Sequence, residues 1–188
     1  MSGPEPDRRA GAVLRTARLI LAPVTRADAA GLHALWTDAE VRRFLWDGVE
    51  IPRAETDAAI GTSVGLFAER GFGLWLARSR TDGTGPIVGF AGLWFFRDPP
   101  ELELVYGVAA NRWSEGFATE MARAVARHAI DTLGHATVRA STDFANAASV
   151  RVLEKAGFEF DRRETRDDLD TVYYRIDRAG SVPGAGAA

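Results

Sequence analysis

A short run of small residues between a predicted strand and a predicted helix constrains this chain more than any other segment. Residues 102–108 form an apolar, strand-like run, and residues 117–133 have the spacing of an amphipathic helix. Ser114, Glu115 and Gly116 lie between them. The first turn of a helix has backbone N–H groups without partners and a partial positive charge. This strand–turn–helix therefore predicts an anion site, where Gly116 lets a phosphate approach the backbone closely.

Composition limits the classes of function. The 188 residues suffice for one sizeable core, and the net charge of −3, without a basic block, argues against nucleic acid as a partner. The chain has no cysteine, which excludes disulfides, thiolate metal sites and a cysteine acyl-enzyme. No apolar run approaches the ~20 residues of a membrane span. We therefore expect a cytoplasmic protein that does not bind membranes. Because His33, His128 and His135 are scattered, we expect no metal site.

Periodicity and turn residues predict one domain over residues 15–178, between flexible tails at residues 1–14 and 179–188. The predicted strands are 15–24, 72–78, 87–96, 101–108, 136–141, 158–163 and 171–176. The predicted helices are 25–36, 39–44, 56–70, 117–133 and 146–156. This order predicts an α/β (α+β) fold with a single mixed, mostly antiparallel sheet and helices on both faces.

Two motifs resemble those of the GNAT N-acetyltransferase family. Residues 114–120, Ser-Glu-Gly-Phe-Ala-Thr-Glu, are similar to its acetyl-CoA diphosphate loop, and residues 146–158 are similar to its Asn-x-x-Ser…Lys-x-Gly-Phe signature. Trp113, the Ala-Thr-Glu ending and the Thr-x-Arg-Leu-x-Leu opening at residues 16–21 resemble the RimJ/RimL branch, which acetylates ribosomal-protein N-termini. The resemblance covers residues 16–176. It implies the GNAT fold and acetyl-CoA-dependent acetylation of a primary amine, either a protein or peptide N-terminus or a small amine.

The resemblance also implies which residues bind the coenzyme. Those expected around the diphosphate are Trp113, Ser114, Glu115, Gly116, Phe117, Ala118 and Thr119. In this family the preceding strand splays from its neighbour, so the backbone of Tyr106, Gly107 and Val108 would pair with the pantetheine amides. Asn146 would hydrogen-bond the pantetheine arm, and Ser149 would lie near the thioester sulfur. The alternative is a helix that Asn146 caps without any ligand.

The chain suggests direct attack of the amine on the thioester in a ternary complex, because it has no cysteine and no Ser/His/Asp order that indicates a triad. Glu103 is the candidate base, since residues 103–108 resemble the family's Glu-x-Gly-Tyr-x-Leu segment, although Val105 replaces the glycine. Glu101 lies two residues away on the same face and is an alternative, as is water.

Two further roles complete the chemistry implied by the resemblance. The N–H of Val108 is the candidate donor to the oxyanion. Many GNAT enzymes carry a tyrosine seven residues after the asparagine, but Leu153 occupies that position here. Ser149 is therefore the candidate proton donor to the departing thiolate.

Several questions stay open at this point. The carboxylate of Glu115 would repel a diphosphate, so either it points outward, with Arg112 or Arg151 offsetting its charge, or the affinity for the coenzyme is low. The acceptor is not identified, because the loops at residues 44–52 and 96–100 contain no motif. A non-catalytic acyl-CoA-binding sensor or interaction module on the same fold is the alternative function. The oligomeric state is open, with a homodimer as one option.

Overall fold

The computed structural model describes residues 12–80, 85–96, 100–166 and 169–179. Most of both predicted tails, and the predicted Asp82-Gly83 turn, lie outside these ranges. The strands are β1 Leu14–Arg15, β2 Leu19–Pro23, β3 Leu74–Ser79, β4 Ile87–Phe96, β5 Glu101–Val108, β6 Thr137–Asp143, β7 Glu159–Arg166 and β8 Leu169–Asp177. The α-helices are α1 Ala29–Thr37, α2 Arg53–Arg70, α3 Phe117–Arg127 and α4 Ala147–Ala156.

These strands form one mixed sheet in the order β1-β2-β3-β4-β5-β6-β8-β7. Neighbours run antiparallel except β5 and β6, which run parallel. Helix α1 and Ile60 of α2 pack in one buried apolar cluster, while α3 and α4 pack in another on the opposite face, to which α2 contributes Phe67. The predicted fold is therefore confirmed. No helix in the described ranges has the length and hydropathy needed to cross a bilayer.

Helix α3 buries the stripe that its spacing predicts. Phe117, Met121, Val125 and His128 are all buried. After Arg127 the backbone continues as a π-helical turn to Thr132, so the predicted α-helix ends earlier than expected. His128 lies edge-on to a core tryptophan with 5.6 Å between the ring centroids, which makes it a packing residue. The stripe holds α3 against the sheet and so fixes where its N-terminus points.

Two local predictions were wrong. The predicted strand 15–24 is instead the β1–β2 hairpin, turned by Thr16, whose hydroxyl accepts a hydrogen bond from the Leu19 N–H at 2.9 Å. The predicted helix at 39–44 is only a 3₁₀ turn at Arg42–Phe44. There the Asp38 carboxylate accepts hydrogen bonds from the backbone N–H groups of Glu40 and Val41, and such local bonding competes with helix formation.

Candidate active site

Strands β5 and β6 pair at one position and then part. Across the described residues their register contains a single parallel pair, Glu103 with Arg139. Beyond that pair, residues 104–108 continue β5 beside a strand that no longer bonds to it. The edge of β5 that faces β6 is therefore open, and an unpaired strand edge can bond to a ligand that carries amide groups.

The ladder between β4 and β5 shows which backbone groups face this opening. The Ala109 N–H donates to the Val88 carbonyl at 2.9 Å, and pairing continues in antiparallel register. Because bonded groups alternate along a strand, those of Tyr106 and Val108 point away from β4 toward the gap. Gly107 is two residues before Ala109 and, like it, directs its backbone N–H and C=O to β4. Of the three residues predicted to pair with pantetheine, Gly107 is therefore the one whose amide the ladder uses.

The loop before α3 contains two residues in the left-handed region of backbone space. Ser114 has φ 65° and Gly116 has φ 81°. A residue other than glycine is uncommon there, and such strain clusters at ligand sites. Gly116 is the N-cap of α3 and has no side chain to cap the helix. In the described part of the chain, no side chain hydrogen-bonds to the amides of residues 117–119. The helix N-terminus therefore presents free donors, as an anion site requires.

Trp113 fastens this loop to the end of β5. Its indole Nε1 donates a hydrogen bond of 2.8 Å to the Val108 carbonyl oxygen, while 48% of the residue stays exposed. The bond occupies one of the two acceptor lone pairs of the Val108 carbonyl oxygen and leaves the Val108 N–H directed at the gap. The residue that carries the predicted oxyanion donor is thus joined to the predicted diphosphate loop by a direct hydrogen bond.

The guanidinium of Arg112 offsets the negative charge of Glu115, which is one of the alternatives that the sequence left open. Arg112 Nε lies 2.8 Å from one carboxylate oxygen of Glu115, and Arg112 Nη2 lies 3.2 Å from the other. This contact lowers the pKa of the Glu115 carboxyl. The carboxylate is ionised but paired, so its repulsion of a diphosphate at the neighbouring amides is reduced.

The β1–β2 hairpin braces the loop from behind, a role that sequence reasoning missed. Thr16 Oγ1 donates to Glu120 at 2.6 Å, and Arg18 Nε donates to the same carboxylate at 2.7 Å. Arg18 Nη1 also donates to the Glu115 carbonyl at 2.9 Å, and its guanidinium lies 4.3 Å from the Phe117 ring centroid. The Thr-x-Arg-Leu-x-Leu opening and the Ala-Thr-Glu ending were the available signals, and the structure shows that they contact each other.

Replacing Arg18 with methionine tests this brace. Methionine keeps the apolar stem on Phe117 but removes the donors to Glu115 and Glu120. We expect the KM for acetyl-CoA to rise about fivefold with kcat within about twofold, because a partly exposed charged hydrogen bond contributes modestly. Arg26→Met, at an exposed arginine in the turn that follows β2, is the matched control. Equal KM values for the two variants would show that the brace does not position the loop.

An open groove of about 690 Å³ lies on the outer side of α3, between this helix and residues 13–18. Its lining includes Arg15, Arg123 and Arg127, and it reaches Gly116 at the start of α3. The predicted diphosphate loop is therefore reachable from this basic side as well as from the gap.

Glu103 stands where the two strands part. It is 3% exposed, and Ser141 Oγ donates a hydrogen bond of 2.9 Å to its Oε2. The alternative base, Glu101, forms an ion pair with Arg139, with 3.1 Å between Glu101 Oε1 and Arg139 Nε. Glu103 lies where β5 and β6 part, whereas Glu101 lies at the first residue of β5, so Glu103 is the nearer of the two carboxylates to the gap.

Two tryptophans, Trp36 and Trp46, lie on the same face of the sheet as the Glu103 side chain. Glu103 and Val105 point to the same face, because side chains alternate along a strand, and Val105 packs against the cluster that contains Trp36. Trp46 meets Trp36 edge-on with ring centroids 5.4 Å apart. It is 38% exposed and has φ 55°, a strained value for a bulky residue. This face can therefore present aromatic surface to an acceptor.

The start of α4 faces the gap from the other side. Asn146 Oδ1 accepts a hydrogen bond of 3.1 Å from the Ser149 N–H, which confirms Asn146 as the N-cap. The cap uses only the oxygen of the Asn146 amide. Ser149 Oγ lies 2.6 Å from the hydroxyl of Tyr106. Sequence reasoning assigned only the backbone of Tyr106, while Leu153, where the family tyrosine would stand, is fully buried in the core.

Comparison with known proteins agrees with this geometry. A profile of the Acetyltransferase (GNAT) domain family matches residues 18–159, most of the chain. This chain belongs to the GNAT acetyltransferase family. YoaA, an uncharacterized N-acetyltransferase of Bacillus subtilis strain 168, is 31% identical over 150 residues, which cover 78% of this chain and 82% of YoaA. The predicted enzyme class, an N-acetyltransferase, is confirmed.

Solved GNAT structures share the fold at low sequence identity. RimL, a ribosomal L7/L12 α-N-protein acetyltransferase in complex with coenzyme A, superposes with a TM-score of 0.74 at 13% identity, covering 90% of this acetyltransferase and 100% of RimL. The aminoglycoside acetyltransferase AAC(6')-Ib, in complex with coenzyme A and kanamycin, gives 0.69 at 20% identity, covering 86% and 95%. Such identities show the fold alone, so membership of the RimJ/RimL branch stays a prediction.

Proposed function

We propose that this GNAT enzyme transfers the acetyl group of acetyl-CoA to a primary amine, by direct attack in a ternary complex. The acceptor is a peptide or protein N-terminus or a small amine. The observation that supports this best is the open edge of β5 beside an uncapped helix N-terminus, because a thioester with an amide-bearing arm and a diphosphate fits both features. RimL and AAC(6')-Ib, which act on these two kinds of acceptor, are both described in complex with coenzyme A.

Backbone N–H groups of the loop and of β5 provide most of the proposed contacts to coenzyme A. Amides of residues 115–119 bind the diphosphate, with the positive end of the α3 dipole behind them. Backbone groups of Tyr106 and Val108 pair with the amides of the pantetheine arm. The free amide nitrogen of Asn146 donates to the same arm from the opposite wall. No metal is required in this scheme.

The proposed catalysis uses three groups around the gap. Glu103 accepts the proton that the acceptor amine loses, directly or through a water molecule. The Val108 N–H donates to the carbonyl oxygen as negative charge develops there. We predicted Ser149 as the proton donor to the thiolate, and we propose here that its hydroxyl acts instead through a hydrogen bond to the sulfur as the C–S bond breaks. Glu103 takes the first proton from the ammonium form of the amine, the second passes to solvent as the amide forms, and coenzyme A leaves as a thiolate that takes a proton from water.

A thiol-release assay tests the proposal. Because the chain has no cysteine, a thiol reagent reports only the coenzyme A that is released. We expect release that depends on the acceptor when the protein is incubated with acetyl-CoA and a panel of peptides and small amines. A reaction without acceptor controls for hydrolysis. Acetyl-CoA at about 100 times its Kd should also stabilise the fold by ~2.7 kcal/mol. Stabilisation without release across the panel would indicate the non-catalytic sensor instead.

A further inference from the structure

We propose that Tyr106 is a positioning residue for acetyl transfer: its hydroxyl holds Ser149 Oγ so that the serine hydrogen is directed at the departing sulfur. This inference rests on the proposed function, since it assigns a task within the same site. It gives the Tyr106 side chain a role that is separate from the backbone pairing proposed for this residue.

The contact joins the two walls of the gap. Tyr106 projects from β5, and Ser149 lies in the first turn of α4. Their hydroxyl oxygens are 2.6 Å apart, and the phenol is also 3.3 Å from the Ser149 carbonyl oxygen. The Ser149 amide is itself held by Asn146 at 3.1 Å. Two elements distant in sequence thus fix the serine, one through its backbone and one through its side chain.

The two hydroxyls can bond in either direction, and we take the phenol as the donor because its O–H is more acidic than that of serine. Burial raises the pKa of Tyr106 to about 12, so the phenol stays protonated throughout the neutral range. A hydroxyl has one hydrogen and two acceptor lone pairs. When the phenol donates its only hydrogen to Ser149 Oγ, the serine hydrogen is available for another acceptor. The sulfur of the thioester, bound in the gap beside Ser149, is that acceptor.

The same chemistry argues against proton transfer from Tyr106. A thiol titrates near pKa 8.5, several units below the phenol, so moving a proton from Tyr106 to the thiolate would be unfavourable. In the proposed step no proton leaves Tyr106 or Ser149. The C–S bond breaks with its electron pair on sulfur, and the serine hydrogen bond stabilises that charge.

A double-mutant cycle tests the pair. Tyr106→Phe keeps the ring and the backbone and removes only the hydroxyl, and Ser149→Ala removes its partner. We expect each change to lower kcat about threefold to tenfold, with the KM for acetyl-CoA within about twofold. We expect the double variant to lose no more than Ser149→Ala alone, because Tyr106 acts only through the serine hydroxyl. Tyr174→Phe, at a buried tyrosine of β8, is the matched control and should retain the wild-type kcat.

Three outcomes would overturn the inference. One is a Tyr106→Phe variant with wild-type kcat, and another is a loss that appears only in KM. The third is a pair of losses that multiply in the double variant, as expected from two independent packing effects. Wild-type turnover is measured alongside, so these outcomes are separable from a failure of the proposed function. A wild-type protein without turnover on any acceptor would overturn both.

Discussion

Glu103→Gln is expected to lower kcat by about 10²–10⁴-fold, the range that a positioned general base contributes. Glutamine keeps the size of the side chain and an oxygen that can accept the hydrogen bond from Ser141, so the fold should tolerate it. What it removes is the ability to take a proton from the amine. Steady-state thiol release at saturating acetyl-CoA and acceptor measures the loss.

The pH dependence gives this prediction its control. The α-amino group of a peptide acceptor titrates near pKa 7.7–8.0, so above that pH the amine is already neutral. The defect of the Glu103→Gln variant should therefore shrink as pH rises from 7 to 9. Glu101→Gln provides the comparison, because Arg139 already occupies that carboxylate. A larger loss at Glu101 than at Glu103 would move the base to Glu101, and no loss at either would leave water as the proton acceptor.

Gly116→Ala is expected to raise the Kd for acetyl-CoA about tenfold or more. A β-carbon at this position would have only an ordinary contact inside the protein, 3.6 Å from Arg18 Nη2. It would, however, crowd the space before the amides that start α3, where the diphosphate is proposed to bind. Isothermal titration calorimetry with acetyl-CoA measures the change directly.

Gly134→Ala is the matched control for this substitution. Gly116 and Gly134 share nearly the same backbone, with φ of 81° and 79°, so alanine costs about 1–2 kcal/mol of stability at either site. A β-carbon at Gly134 has open space around it, and this residue follows the far end of the α3 segment. We expect the two variants to lose similar stability and only Gly116→Ala to lose affinity. Equal affinities would remove the loop from the diphosphate site.

Local patterns were enough to predict the parts of the site that a single segment forms. The period of α3, the turn at Gly116 and the cap at Asn146 each depend on residues within a few positions of one another. The brace and the hydroxyl pair could not be read in this way. Arg18 and Glu120 are 102 positions apart, and Tyr106 and Ser149 are 43 apart, so only the fold brings them together.

Helix α2 shows how a tertiary contact can override a local pattern. The spacing predicted a start at Thr56, yet the helix begins at Arg53 and its apolar Val64 is 47% exposed. Ser63 is buried in its place, because its Oγ accepts a hydrogen bond of 2.8 Å from the N–H of Leu74 on β3. A polar side chain that bonds to the neighbouring strand is favourable inside a core, but a search for apolar periodicity passes over it.

A crystal structure of the protein with coenzyme A is the most direct test of how the gap and the loop are used. The expected result has the diphosphate within hydrogen-bond distance of the amides of residues 115–119, and the pantetheine arm between β5 and β6, bonded to the backbone of Tyr106 and Val108. Coenzyme A bound elsewhere on the protein, or a complex in which β5 and β6 zip together and exclude the arm, would contradict it.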